Sequence, residues 1–139
     1  MLRVSVSKVR PEQVDRLRAW FAELSGPRRG ELLATFADEG VRHETVLLVP
    51  TSDGPLMVYV MEEEDPARSI AAFRDSAHPV DADHRAVLSA AFMGVAEHEV
   101  LLDVPAEPPA GLSTGPSAEP SAARPGSLPP AAGTATGTP

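Results

Sequence analysis

Val41-Arg42-His43-Glu44-Thr45-Val46-Leu47-Leu48-Val49, followed by Thr51-Ser52-Asp53-Gly54 and then Pro55-Leu56-Met57-Val58-Tyr59-Val60-Met61, is the passage that decides the fold. The first run is rich in leucine and β-branched residues, and Asp53-Gly54 supplies the positive φ that a hairpin turn requires. Two antiparallel strands, 41–49 and 55–61, follow from this reading. On the N-terminal side, Leu2, Val4 and Val6 alternate with Arg3, Ser5 and Ser7, the period of a half-buried strand. Pro11 then opens a helix that carries Val14, Leu17, Phe21 and Leu24 at helical spacing, with Trp20 beside the stripe, and that stops near Ser25-Gly26. Pro27 restarts it, and Leu32, Leu33, Phe36 and Ala37 extend the apolar stripe to Gly40, a residue suited to the left-handed position after a helix.

On the C-terminal side, Asp65 caps a helix with Pro66 in its first turn, and Ile70 and Phe73 mark its buried side. The link Ser76-Ala77-His78-Pro79-Val80-Asp81-Ala82-Asp83-His84 interrupts the helical pattern, because the residue before a proline is pushed out of the α region. Asp81 is the expected N-cap of the helix that follows, with Val87, Leu88, Ala91 and Phe92 inward and Gly94 at its end. A last strand is expected over 96–104. The order is that of an α+β, ferredoxin-like βαββαβ domain with broken helices and a four-stranded antiparallel sheet over residues 1–104. From Pro105 onward nine prolines and five glycines fall among 35 residues. Such a composition has too little apolar surface to offset the entropy cost of ordering, so a disordered tail is expected over 105–139.

Strand parity assigns Leu2, Val4, Val6, Leu56, Val58, Val60, Val100, Leu102 and Val104 to the face that meets the helices. The opposite parity carries Arg3, Ser5, Ser7, Met57, Tyr59, Met61, Glu97, Glu99 and Leu101. That second face is too apolar to be merely solvated, and apolar patches mark an interface or a ligand site. Two copies pressed together there would enclose a pocket lined by Arg, Ser, Tyr, Met and Glu.

Composition excludes several classes of function. A net charge of -8 and the absence of a basic cluster beyond Arg28-Arg29 argue against nucleic acid as a partner. Without cysteine there is no disulfide, thiolate metal site or cysteine nucleophile. No window approaches the ~20 apolar residues of a membrane span, and the N-terminus lacks the apolar run of a signal peptide, so a cytoplasmic protein is expected. No Gly-rich phosphate loop, nucleophile elbow or cofactor fingerprint occurs, and no cofactor is expected.

The element order, with Trp20, Glu39-Gly40-Val41, Glu44, Tyr59, Met61, Asp65 and the pattern Ser-x-His-Pro-x-Asp-x-x-His from Ser76 to His84, resembles an uncharacterised bacterial family of dimeric α/β-barrel proteins, the domain of unknown function 6176. The likeness covers about residues 1–104 and departs at Val9-Arg10-Pro11-Glu12, where a Lys-Pro-Gly-Lys-like turn is expected. It implies the fold and a homodimer, with distant kinship to small-molecule monooxygenases, cyclases and stress-response proteins.

Four residues are candidates for acid/base chemistry. His84, three residues past Asp81, is expected to point inward beside carboxylates, where an imidazole can move a proton near neutral pH. His78 lies in the same link. Glu44, in a semi-enclosed apolar pocket, would titrate high enough for proton transfer, with Tyr59 as donor. Arg3 is the candidate anion anchor, and Met61 and Asp81 complete the ligand-binding set. His78, Asp81 and His84 could also be read as metal ligands, but their spacing matches no established motif and no metal is expected. Trp20 reads as a core or interface aromatic, and Glu62-Glu63-Glu64-Asp65 as a solvated approach to a helix. The leading expectation is a homodimeric small-molecule-binding protein, of the cofactor-independent monooxygenase, cyclase or isomerase type if it is an enzyme. The alternative is a non-catalytic interaction or regulatory protein whose second sheet face is only a dimer interface.

Overall fold

Prolines, glycines and one aspartate set the element boundaries in the computed structural model, which describes residues 1–106. The chain runs β1 (Leu2–Val9), a short 3-10 turn (Pro11–Gln13), α1 (Val14–Ser25), α2 (Arg29–Glu39), β2 (Val41–Val49), β3 (Leu56–Glu63), α3 (Pro66–Asp75), α4 (Pro79–Ala91) and β4 (Phe92–Val95). Gly40 ends α2 at φ 72, the left-handed conformation that an L side chain would strain. The Asp65 carboxylate accepts from the backbone N–H groups of Ala67 and Arg68, satisfying two donors at the start of α3 that have no partner within the helix. The strands form one antiparallel sheet in the order β2-β3-β1-β4, the ferredoxin-like arrangement. Residues 1–101 make one compact unit. No helix among the described residues is long and apolar enough to cross a membrane.

Three boundaries differ from expectation. Asp81 is not the N-cap of α4, because Pro79 takes the first helical position and leaves His78 as the extended residue before it. Gly94 does not end that helix; Phe92 is already extended, and Gly94 lies in β4 at φ 152. The last strand is Phe92–Val95, so 96–104 carries no regular structure, and Val100, Leu102 and Val104 are exposed. Helical spacing ran past Ala91 only because Phe92 continues the apolar stripe. The tail expected to be disordered lies outside the described residues apart from Pro105 and Ala106.

The larger correction concerns which side of the sheet the helices cover. Arg3 pairs with Met61, Ser5 with Tyr59 and Ser7 with Met57 across β1 and β3, while Glu44, Val46 and Leu48 of β2 pair with Met61, Tyr59 and Met57. Met57, Tyr59 and Met61 are buried in the core with Leu17, Trp20, Leu24, Val80 and Val87 of the helices. The aliphatic parity of Val4, Val6, Val58 and Val60 therefore lies on the open face, half-buried, with Leu47 exposed beside it. Both parities are apolar, so alternation alone did not choose between them. The long Met and Tyr side chains fill the gap between sheet and helices, and Arg3 finds its ion partner there, while short β-branched residues cover the flat outer side. Glu97, Glu99 and Leu101 belong to neither face, since 96–104 is not a strand.

Candidate functional site

Helices α2, α3 and α4 stand off the covered sheet face and leave a cavity of about 190 Å³ between them. Its walls are largely apolar, with Leu32, Phe36, Phe73, Leu88 and Phe92 facing Tyr59 and Met61. Ile70, expected on the buried side of α3, is instead half exposed and forms part of the rim; Ser69 is the residue that α3 buries. The polar groups of the cavity are unusual: three carboxyl groups, from Glu39, Glu44 and Asp81, share it with a single guanidinium, that of Arg3.

Arg3 is already spoken for. Its Nε donates to Glu63 Oε2 at 2.8 Å and its Nη2 to Glu63 Oε1 at 2.7 Å, a bidentate fork, and Nη2 also reaches Met61 Sδ at 3.0 Å. Ser69 Oγ donates to the same Glu63 Oε1 at 2.7 Å. Glu63 is fully buried, and the hydrogen bonds from Arg3 hold its carboxyl below the usual range against the pull of burial. The expectation of a solvated Glu62-Glu63-Glu64 run fails at its middle member, because the inward alternation of Met57, Tyr59 and Met61 continues to Glu63. Arg3 is thus an ion-pair partner first, not a free anion anchor.

Glu39 and Glu44 are held differently. Glu39, the last residue of α2, is 6% exposed, and its Oε1 meets no hydrogen-bond partner among the described residues. Burial, with Asp81, Glu44, Glu63 and Asp38 nearby, pushes its carboxyl up to about 8. Glu44 is pushed up to about 7 by burial, with Arg3 pulling it down and Glu63 pushing it up. Asp81 is buried and accepts from Ser76 Oγ at 2.5 Å, a bond that ties the link between α3 and α4 to the first turn of α4, and Ser76 Oγ accepts in turn from His78 N–H at 3.1 Å.

His84 points inward, enclosed by the rings of Trp20, Phe21, Tyr59 and Phe73. Trp20 Nε1–H donates to its Nδ1 at 2.6 Å. Since indole is a donor only, the neutral ring carries its proton on Nε2, which faces the Tyr59 hydroxyl at 3.4 Å. Burial lowers the imidazole to about 4, so it is neutral at neutral pH. With one nitrogen accepting and the other protonated, His84 positions Tyr59 instead of serving as a free base. Burial, and the Glu44 charge after it, raises the Tyr59 phenol, which stays protonated as a donor.

Arg3, Glu44, Tyr59, Met61, Asp81 and His84 therefore line one cavity, but His78 does not. As the residue before the first turn of α4 it points away, its Nε2 lying 2.7 Å from Asp38 Oδ2 in a separate groove with Ala77 and Pro79. The His78, Asp81 and His84 ligand set is consequently not assembled, and no group of three or more His, Asp or Glu side chains among the described residues is placed to hold a metal ion. Sequence reasoning gave Glu39 no functional role and missed the donor role of Trp20. A signal for Glu39 existed: a carboxylate in the last turn of a helix opposes the helix dipole, so its presence at Asp38-Glu39-Gly40 lacks a local reason.

Fold and site together define a ferredoxin-like α+β domain with an acidic, aromatic-walled cavity between one sheet face and its helices. The chain belongs to a family of unknown function (DUF6176), whose model matches residues 2–108. Comparison with curated proteins and with solved structures gave no match.

Proposed function

We propose that this chain is a small-molecule-binding protein that works as a homodimer, with the cavity under α2, α3 and α4 as its binding site. The observation that carries the reading is a cavity of about 190 Å³ whose polar groups include Glu44, raised to about 7 by burial, beside the protonated Tyr59 hydroxyl. A carboxyl group that titrates near neutrality is suited to accept and return a proton. Glu44 is the proton-transfer group, Tyr59 the hydrogen-bond donor and His84 the positioning residue for Tyr59. Chemistry of this kind fits a cofactor-independent isomerase, cyclase or monooxygenase acting in the cytoplasm.

The homodimer draws on the other face of the sheet. Val4, Val6, Leu47, Val58 and Val60 form an aliphatic surface there that no described element covers, the kind of patch that marks an association surface. Sedimentation of the full chain tests it: a dimer dissociated by Val58→Glu is expected, and a monomeric wild type would remove this part of the reading. A second reading, a non-catalytic interaction or regulatory protein, is favoured by His84, whose two ring nitrogens both face protein partners. An NMR fragment screen separates the two. Binders that shift Tyr59 and Leu88 amides, and that lose affinity in Glu44→Gln, support the binding site. A screen without binders at these residues leaves the interaction reading.

A further inference from the structure

The cavity holds more carboxyl groups than it has cations to neutralise them, and this narrows the ligand. Three carboxyl groups line it, from Glu39, Glu44 and Asp81, and Arg3, the one guanidinium there, spends both arms of its fork on a fourth, the buried Glu63 behind it, which also receives Ser69 Oγ. Asp81 is engaged by Ser76. Glu39 is the group left over: it is 6% exposed, it lines the cavity, and its Oε1 meets no donor among the described residues. An acceptor withdrawn from water without a partner costs the full desolvation penalty of the group, and such a cost persists where a ligand supplies the missing donor. Glu44, from β2, lines the same cavity near enough for its charge to act on Glu39, with an aromatic and aliphatic lining around both.

We propose that the cavity binds a small primary amine, its ammonium donating to Glu39 and Glu44 and its apolar body resting against Phe36, Phe73, Leu88 and Phe92. The proposal rests on the reading of the cavity as a small-molecule site and names the class of molecule that the site takes. An anionic ligand meets a cavity lined by carboxyl groups, with the Arg3 guanidinium already committed to Glu63. A neutral alcohol offers a single donor to two carboxyl groups and cannot satisfy both. An ammonium group has three donors and no acceptor, which matches a pocket of acceptors.

The groups that face Glu39 and Glu44 set the pH behaviour. They are Arg3 on β1, Tyr59 and Glu63 on β3, Asp38 beside Glu39 on α2, and Asp81 and His84 on α4, with Ser69 from α3. In the empty cavity Glu39 and Glu44 retain protons around neutrality. The ammonium displaces those protons, so binding releases protons and tightens as pH rises from about 6 to about 8.5 while the amine itself stays charged.

Isothermal titration calorimetry of the full chain with benzylamine, cyclohexylmethylamine, benzyl alcohol and benzoate tests this. The amines are expected to bind at least about tenfold more tightly than the alcohol or the carboxylate of like shape, the worth of a charge-assisted hydrogen bond. Glu39→Gln and Glu44→Gln, near-isosteric changes, are each expected to lose the advantage of the amines over benzyl alcohol. Benzoate or benzyl alcohol binding as tightly as the amines would overturn the amine assignment and leave the small-molecule site standing. Equal amine affinity in wild type and Glu39→Gln would overturn it too. If none of the four probes binds, both the assignment and the site fall.

Discussion

Replacing Glu39 by Gln is expected to stabilise the protein, by an amount that grows with pH. The Glu39 carboxyl group has an ordinary value of 4.5 and is pushed up to about 8 in the folded chain, so the folded state holds its proton more tightly than the unfolded one. Below 4.5 both states keep the proton and Glu39 is as neutral as Gln. As pH rises from there, the unfolded chain gains by releasing the proton that the folded chain retains, and stability falls until the folded group itself ionises near 8. Each pH unit in that window is worth about 1.36 kcal/mol, so the window of about 3.5 units sets a ceiling of about 5 kcal/mol. Local relaxation and water entry reduce it, and about 2–4 kcal/mol is expected for Glu39→Gln at about pH 8.5. Urea unfolding of the two proteins at about pH 4.5 and about pH 8.5 measures the difference, since the titration of every other group is common to both. A gap that is the same at both pH values would refute the reasoning, as would a variant that is weaker than wild type at the higher pH. A residue that lowers stability in its own fold is what a binding site, selected for something else, produces.

Two further outcomes follow from the same geometry. Trp20→Phe leaves His84 Nδ1 buried without its donor and is expected to cost about 1–3 kcal/mol in the same unfolding assay; a loss below about 0.5 kcal/mol would show that the indole N–H bond carries no weight. Arg3→Met strands the fully buried Glu63 carboxylate and is expected to cost about 3–5 kcal/mol, most of it recovered in the double variant Arg3→Met/Glu63→Gln; additive losses would mean that the pair is not coupled.

The element order was legible because its signals are local. Asp65 with Pro66, Gly40 after α2 and Asp53-Gly54 between β2 and β3 each act within a few residues, and all three sit where local chemistry puts them. The choice of sheet face was not legible, because it depends on what the helices bring to it. Two apolar parities compete, and the partners that decide between them, Trp20 and His84 for Tyr59, Arg3 for Glu63, lie 25 to 64 residues apart in sequence. The cavity shared by Arg3, Glu44, Tyr59, Met61, Asp81 and His84 could be proposed from residue type, but it was expected between two copies and it lies within one. His78 was grouped with His84 by proximity in the chain; a proline at the first helical position turned the two rings apart. Glu39 was given no role beyond the family pattern, and Glu63 was placed in a solvated run, because acidic residues are read as solvated until a structure buries them.

The most direct test of the cavity as the binding site is an isotope-filtered nuclear Overhauser experiment on the full chain with benzylamine. Cross-peaks from the ligand ring to the side chains of Phe73, Leu88 and Tyr59 are expected. Cross-peaks to Val58 and Val60 on the open face, with none to the first three, would contradict the assignment.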